Sequence, residues 1–170
     1  MRYRLDVVAP SVADVVGAAG GWLVDRVMAG WDVTVMISGE YDADSLRSLR
    51  ILGVEIADLE SAMALWEQRP HPQTVAVAAD LFATDERVRE GVLGAMEQGL
   101  TEVTLWGESW PAELDATVDV VQHELSAAAR AFKLQAMAAL GETGAVAGAE
   151  MFRCGVMACP SVAADLVPAS

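Results

Sequence analysis

Apolar residues in the first two thirds of the chain occur in short runs separated by segments with helical spacing. The run at residues 31–38, WDVTVMIS, is rich in β-branched side chains and follows directly on Gly30. A strand that is apolar on both faces must be covered on both sides, so this run predicts one strand of a parallel sheet between two layers of helices. Four further runs predict strands of the same sheet, at residues 3–9, 54–59, 73–79 and 100–106.

A helix is predicted between the first two strands. Ser11 followed by Asp14 resembles a capping box, and apolar residues then recur at helical spacing as far as residue 29. Three glycines interrupt this pattern, Gly17, Gly20 and Gly21, and each weakens a helix by about 1 kcal/mol relative to alanine. Either these glycines permit close packing against the sheet, or the helix begins at Gly21.

The order of the predicted elements determines the expected fold class. Strands alternate with helices, and each return to a parallel strand needs a right-handed crossover. We therefore expect a three-layer, doubly wound (Rossmann-like) α/β fold with a mostly parallel sheet of about five strands in the order 3-2-1-4-5. This sheet and a long helix after it are expected to form a single domain over residues 1–141.

The long helix is predicted over residues 111–140, between Pro111 and Gly141. At about 1.5 Å per residue, such a helix overhangs a sheet of short strands, so its apolar seam needs a partner. We expect either a contact with a second copy or another protein, or packing against the apolar tail at residues 142–170. The residues expected to mediate self-association recur at four-three spacing: Leu114, Val118, Val121, Leu125 and Phe132.

Composition excludes several classes of partner. The chain has 170 residues, 54% of them hydrophobic, and a net charge of −14. Nucleic acids and anionic membrane surfaces are held by clustered Lys and Arg, so neither is expected to bind. Because no signal peptide and no apolar run long enough for a membrane span are present, we expect a cytoplasmic protein.

The loops that follow the strands lack the known phosphate-binding patterns. Residues 9–14, APSVAD, contain neither G-x-G-x-x-G nor G-x-x-x-x-G-K-[ST]. No dinucleotide site or P-loop is therefore predicted, and no cofactor is expected.

Five polar residues in these loops are candidates for binding a small ligand. Glu40, Asp42 and Asp44 contain a D-x-D pattern, which suits Mg²⁺ or Mn²⁺ with substrate phosphates but equally suits helix capping in an acidic loop. Glu108 and Ser109 stand where a hydrolase nucleophile elbow would begin, but Pro111 replaces its closing glycine. Ser109 is therefore expected to cap the following helix.

Cysteine, histidine and tryptophan residues give no stronger signal. Cys154, Cys159, His71 and His123 do not have the spacing of a common zinc site, so no metal is predicted and the thiols are expected to be free. Tryptophans can stack a ring ligand or cover the core at the ends of elements. The five tryptophans are Trp22, Trp31, Trp66, Trp106 and Trp110.

Residues 20–40, GGWLVDRVMAGWDVTVMISGE, resemble the N-terminal half-domain of two-domain glycosyltransferases. In that family a Gly-Gly loop opens a helix that leads to a G-x-D-V-T-V strand. Here the Gly pair does not directly follow the first strand, and the donor-binding second domain has no counterpart. The resemblance therefore implies a βαβ unit but no nucleotide-sugar site.

These observations favour a self-associating interaction or scaffold module without catalysis. The alternative is a module that binds a nucleotide or a sugar-like small molecule at the carboxyl ends of the strands. In that case Glu40, Asp42, Asp44, Glu108 and Ser109 are expected to line the site.

Overall fold

The computed structural model describes residues 2–65, 68–108, 112, 118–155 and 166–168. The strands are β1 (Arg4–Ala9), β2 (Asp32–Ile37), β3 (Glu55–Asp58), β4 (Thr74–Ala78), β5 (Glu102–Trp106), β6 (Val118–Glu124), β7 (Ala149–Gly155) and β8 (Val167–Pro168). The helices are α1 (Val12–Met28), α2 (Ala43–Leu52), α3 (Leu59–Ala64), α4 (Ala79–Thr84), α5 (Glu86–Gln98) and α6 (Ala127–Ala139).

The strands form a mixed eight-stranded sheet in the order β3-β2-β1-β4-β5-β7-β6-β8. The first five of these strands are parallel and have the predicted order. β7 is antiparallel to both β5 and β6, and β8 is antiparallel to β6. The prediction of an α/β sheet with helices is therefore confirmed, but the sheet is larger and less uniform than the doubly wound sheet expected.

The predicted long helix at residues 111–140 is wrong. Within that span the structure has strand β6, a turn, and the short helix α6, which Ser126 caps by accepting a hydrogen bond from the Ala129 N–H at 3.0 Å. Val121, His123 and Leu125 are buried, with more exposed residues between them. This alternation has the period of two that defines a strand. Over so few residues, the spacing of the apolar positions also fits a helix, which is why a helix was expected.

The segment after α6 joins the sheet through β7. β7 lies between β5 and β6, so a strand that comes late in the sequence occupies an inner position. Phe152 of β7 is buried and packs against Trp22 of α1, with ring centroids 4.8 Å apart. The antiparallel part of the sheet is therefore attached to the parallel part by backbone pairing and by a shared core.

A buried ion pair connects α1, α6 and β7. Lys133 Nζ lies 2.6 Å from Glu150 Oε2 and donates a hydrogen bond to the Gly17 carbonyl at 2.7 Å. The N–H groups of Gly21 and Trp22 donate to the Glu150 carboxylate at 3.0 and 2.6 Å. Every charged atom of the pair thus has a partner, as burial of charge requires.

The three glycines of α1 lie inside the helix, so the alternative in which the helix begins at Gly21 is wrong. Gly21 permits a close approach, but the neighbour is not the sheet. A Cβ on Gly21 would lie 2.1 Å from Leu125 Cδ2, and one on Gly20 would lie 3.5 Å from Lys133 Cγ. Gly17 has no neighbour within that range.

None of the helices in the described part of the chain combines the length and the apolar character that crossing a bilayer requires.

Candidate functional site

The carboxyl ends of the parallel strands meet at one edge of the sheet. β1 lies between β2 and β4, and chain connections leave β1 and β4 towards opposite ends of the strand order, so this is the switch point where open α/β sheets bind ligands. The loops after β1 and β2 are in contact there. The Ser38 N–H donates to the Ala9 carbonyl at 3.1 Å, and a Cβ on Gly39 would lie 3.2 Å from the Pro10 carbonyl oxygen.

Asp14 is a carboxylate at this edge that accepts a hydrogen bond from a different element of the fold. It lies in the first turn of α1, and its N–H donates to the hydroxyl of Ser11, the N-cap, at 3.1 Å. Its Oδ2 accepts a hydrogen bond at 2.9 Å from the indole Nε1 of Trp106, which is the last residue of β5 and is 5% exposed. One strand, β5, and one helix, α1, therefore fix a half-buried carboxylate beside the switch point.

Sequence reasoning did not find this pair. The sequence predicts only a capping box for Ser11 and Asp14, and the cap at Ser11 is confirmed. The only further signal was the position of Asp14 directly after β1, because its partner Trp106 lies 92 residues away in the chain.

The three predicted acids after β2 lie near this edge and have local partners. Asp42 caps α2 by accepting a hydrogen bond from the Ser45 N–H at 2.8 Å, and this bond lowers the pKa of the Asp42 carboxyl. Asp44 forms an ion pair with Arg47 at 3.2 Å. Glu40 is exposed. The capping alternative thus accounts for Asp42, while ligand contact by these acids stays a prediction.

The remaining predicted ligand groups follow β5. Glu108 is exposed and follows Gly107, whose φ of +126° lies in a region that side chains rarely adopt. Ser109 lies outside the described residues, as do Trp66 and Trp110. Asp80, which sequence reasoning did not single out, is exposed in the first turn of α4, directly after β4.

The residues predicted to mediate self-association do not form one seam. Val121 and Leu125 are buried within the chain itself, whereas Phe132 on α6 is 46% exposed. Val118 begins β6, and Leu114 lies outside the described residues. The helical spacing that grouped them does not exist here, because they belong to a strand and a separate helix. A homodimer or another protein partner stays a prediction.

The described tryptophans are core residues. Trp22 is fully buried, and Trp31 lies under the guanidinium of Arg26, 4.0 Å from its Cζ to the ring centroid. Trp106 is buried as well, and Trp31 is partly buried against the core, as expected for tryptophans that cover the core.

A second polar cluster joins α1 to the β6–α6 connection. The Asp25 carboxylate accepts hydrogen bonds from the Ser126 N–H at 3.1 Å and the Ser126 hydroxyl at 2.5 Å, and His123 Nε2 lies 2.7 Å from it. These are the residue types of a serine hydrolase triad, but the order is wrong. The Ser126 hydroxyl donates to the aspartate, whereas in a triad the serine contacts the histidine, so this arrangement is not that of a triad.

The contacts of Asp25 with Ser126 and His123 are expected to make the stability of the fold depend on pH in the acid range. Burial alone would raise the pKa of Asp25, but the hydrogen bonds from Ser126 and His123 outweigh it and hold that pKa below its ordinary value. Because the pKa of Asp25 is lower in the folded state than in the unfolded state, the ionised carboxylate stabilises the fold above about pH 4. This stabilisation is lost as the pH falls through the folded-state pKa. Between pH 6 and pH 3, urea unfolding of the wild type should therefore lose more stability than that of Asp25→Asn. Parallel curves for the two proteins would contradict this.

Comparison with known proteins identifies the fold. No protein-family model matches the sequence, and no curated protein matches it significantly. Among solved structures, the chain is similar to a deacetylase–teicoplanin complex (TM-score 0.64, 13% identity, covering 89% of this chain and 98% of that one). It is also similar to the N,N'-diacetylchitobiose deacetylase of Pyrococcus horikoshii (0.58, 13%, 91% and 84%) and to the 4-carboxy-2-hydroxymuconate hydratase of Pseudomonas putida (0.54, 13%, 90% and 95%).

These similarities correct the predicted function. The structural neighbours are deacetylases and a hydratase, so the fold is one that supports catalysis, and a non-catalytic scaffold is not what the comparisons favour. The prediction of an interaction module was wrong because it relied on a long helix that does not exist. At such low identity the similarity establishes the fold alone.

One neighbour, teicoplanin deacetylase, has been solved in a zinc-inhibited form. The described residues of this chain do not supply a site for that metal. They contain no cluster of three or more His, Cys, Asp or Glu side chains, whereas a catalytic zinc ion takes three protein ligands.

Proposed function

We propose that this chain is an enzyme that uses water to remove the acyl group from an N-acylated polar compound bound at the carboxyl edge of its sheet. The observation that carries the proposal is the Asp14 carboxylate, fixed by Trp106 at the switch point of a fold whose neighbours are deacetylases. The hydratase among the neighbours belongs to the same broad chemistry, because it too adds water to its substrate.

The proposed reaction needs a group that moves a proton. Water attacks the acyl carbon, the carbon–nitrogen bond breaks, and the products are a carboxylic acid and an amine. Asp14 is proposed as the general base that accepts a proton from water and then returns it to the leaving nitrogen. Its hydrogen bond to Trp106 occupies one carboxylate oxygen and orients the other.

The charge at this edge favours an amine product. Glu40, Asp80 and Glu108 are exposed there, and the whole chain carries a net charge of −14. Such a surface attracts cations and repels anions. It therefore favours a neutral substrate over an anionic one, and it favours an amine product, which carries a positive charge as an ammonium ion. Glu40, Asp42, Asp44, Glu108 and Ser109 are retained as proposed lining groups.

An acetate-release assay tests the proposal. We expect purified protein to release acetate and a free amine from N-acetylglucosamine or N,N'-diacetylchitobiose, detected together by mass spectrometry. Asp14→Asn should lower the rate by about 10²- to 10⁴-fold, because the amide has the same shape and cannot act as a base. Asp32→Asn is the control, since Asp32 lies at the opposite edge in an exposed ion pair with Arg2.

Two results would contradict this function. One is full activity in Asp14→Asn. The other is a raised melting temperature with an acetylated sugar but no released acetate, which would mean binding without turnover.

We further propose that the protein acts in the cytoplasm and as a homodimer or with another protein partner. The acidic composition and the partly buried, free thiol of Cys154 support the first part. Phe132 and Leu134, exposed on α6, support the second.

A further inference from the structure

We infer that Asp14, at the carboxyl edge of this sheet, is not a ligand of a zinc ion, and that an indole N–H positions its carboxylate there without a metal. The inference starts from the donor set. A catalytic zinc ion takes three protein ligands from histidine, cysteine and carboxylate side chains. In the ranges that the structure describes, no such group of three exists anywhere.

Neither histidine is placed to complete a site. His71 precedes β4, so it lies at the edge opposite to the carboxyl ends of the strands. The ring of His123 lies against the Asp25 carboxylate, with Nε2 and Oδ2 2.7 Å apart, between α1 and β6. The carboxyl edge therefore offers no imidazole from the described residues.

The described cysteine is also unsuited to zinc. Burial raises the pKa of the Cys154 thiol to about 12, and its sulfur lies 3.4 Å from the Thr104 hydroxyl within the sheet. Zinc binds the thiolate form, which this environment disfavours.

Among the carboxylates at this edge, Asp14 has an indole N–H as its hydrogen-bond donor. Asp14 is held by the 2.9 Å hydrogen bond from Trp106, and the burial of Trp106 keeps the indole in place. A neutral N–H donor orients a carboxylate and leaves its negative charge available to water, whereas a zinc ion would neutralise part of that charge. Trp106 is thus a positioning residue for Asp14.

Metal content and the indole N–H signal test the inference together. The full chain is dialysed against zinc and then against zinc-free buffer, and its zinc is counted by mass spectrometry. In parallel, zinc chloride is titrated into ¹⁵N-labelled protein while the Trp106 indole signal, assigned by its loss in Trp106→Phe, is followed. We expect no stoichiometric zinc and an unmoved Trp106 signal, together with a shifted signal in Asp14→Asn because the hydrogen-bond acceptor has changed.

One zinc ion per chain that is lost in Asp14→Asn, with movement of the Trp106 signal on titration, would overturn the inference. One zinc ion that persists in Asp14→Asn and leaves the Trp106 signal unmoved would be bound without Asp14, and the inference would stand. Although the role given to Asp14 follows from the proposed function, neither measurement uses a substrate. A failure of the deacylase proposal is therefore distinguishable from a failure of this one.

Discussion

Replacing Glu150 by alanine is expected to lower the free energy of unfolding by about 3–5 kcal/mol, the usual loss when one partner of a buried ion pair is removed. The side chains of Glu150 and Lys133 are 2% and 5% exposed. Without the carboxylate, the Lys133 ammonium keeps the Gly17 carbonyl but loses its counter-ion. The N–H groups of Gly21 and Trp22 lose their acceptor as well. Urea unfolding followed by circular dichroism measures the change.

A glutamate in an exposed ion pair provides the matched control. Glu60 contacts Arg87 through both carboxylate oxygens at 2.7 and 2.8 Å, yet its side chain is 67% exposed. Glu60→Ala should change stability far less, because exposed ion pairs contribute little. Equal losses in the two variants would show that burial of the Glu150 pair is not what matters.

A double-mutant cycle separates the ion pair from the backbone contacts. Lys133→Met leaves the Glu150 carboxylate with its two N–H donors, so its loss should be smaller than that of Glu150→Ala. The two substitutions together should cost less than their sum, because the second no longer leaves an unpaired charge. Additive losses would mean that the pair does not act as a unit.

Gly21→Ala is expected to destabilise the protein by about 1–3 kcal/mol, the range for overpacking a well-filled core. The new methyl group would lie 2.1 Å from Leu125 Cδ2 and 2.3 Å from Leu125 Cγ. Leu125 is 4% exposed, so its side chain has little space into which to move. The melting temperature and the urea midpoint should both fall.

The same helix contains the control for this effect. Gly17→Ala adds a methyl group with nothing within 4 Å, so it should leave stability unchanged or raise it by up to about 1 kcal/mol through helix propensity. In a Leu125→Ala background, Gly21→Ala should lose most of its cost. Similar effects of the two glycine substitutions, or a cost that persists without Leu125, would contradict steric packing as the reason.

The parallel half of the fold was predictable because its signals are local. Strand β2 is a run of apolar, β-branched residues, and Gly30, Gly53 and Gly99 each have positive φ where a helix or its last turn ends. Because crossovers between parallel strands are right-handed, few arrangements of these strands and helices are possible. The order of the five parallel strands could therefore be predicted without knowing which residues are in contact.

The antiparallel half was not predictable in the same way. Residues 118–125 satisfy both a helical and a strand period, and the buried alternation of Val121, His123 and Leu125 becomes visible only once β7 pairs with β6. Backbone pairing partners come from distant parts of the chain. A short amphipathic segment adopts the structure that its neighbours permit.

The candidate site likewise has a part that the sequence predicts and a part that it does not. The sequence by itself determined the cap at Ser11, the first turn of α1 that contains Asp14, and the absence of known phosphate-binding patterns, because these depend on residues within a few positions of one another. Only the tertiary structure decided that Trp106 holds Asp14 and that Glu150 is buried against α1. Hydrogen bonds of that kind join residues on different elements, and no local pattern encodes which elements become neighbours.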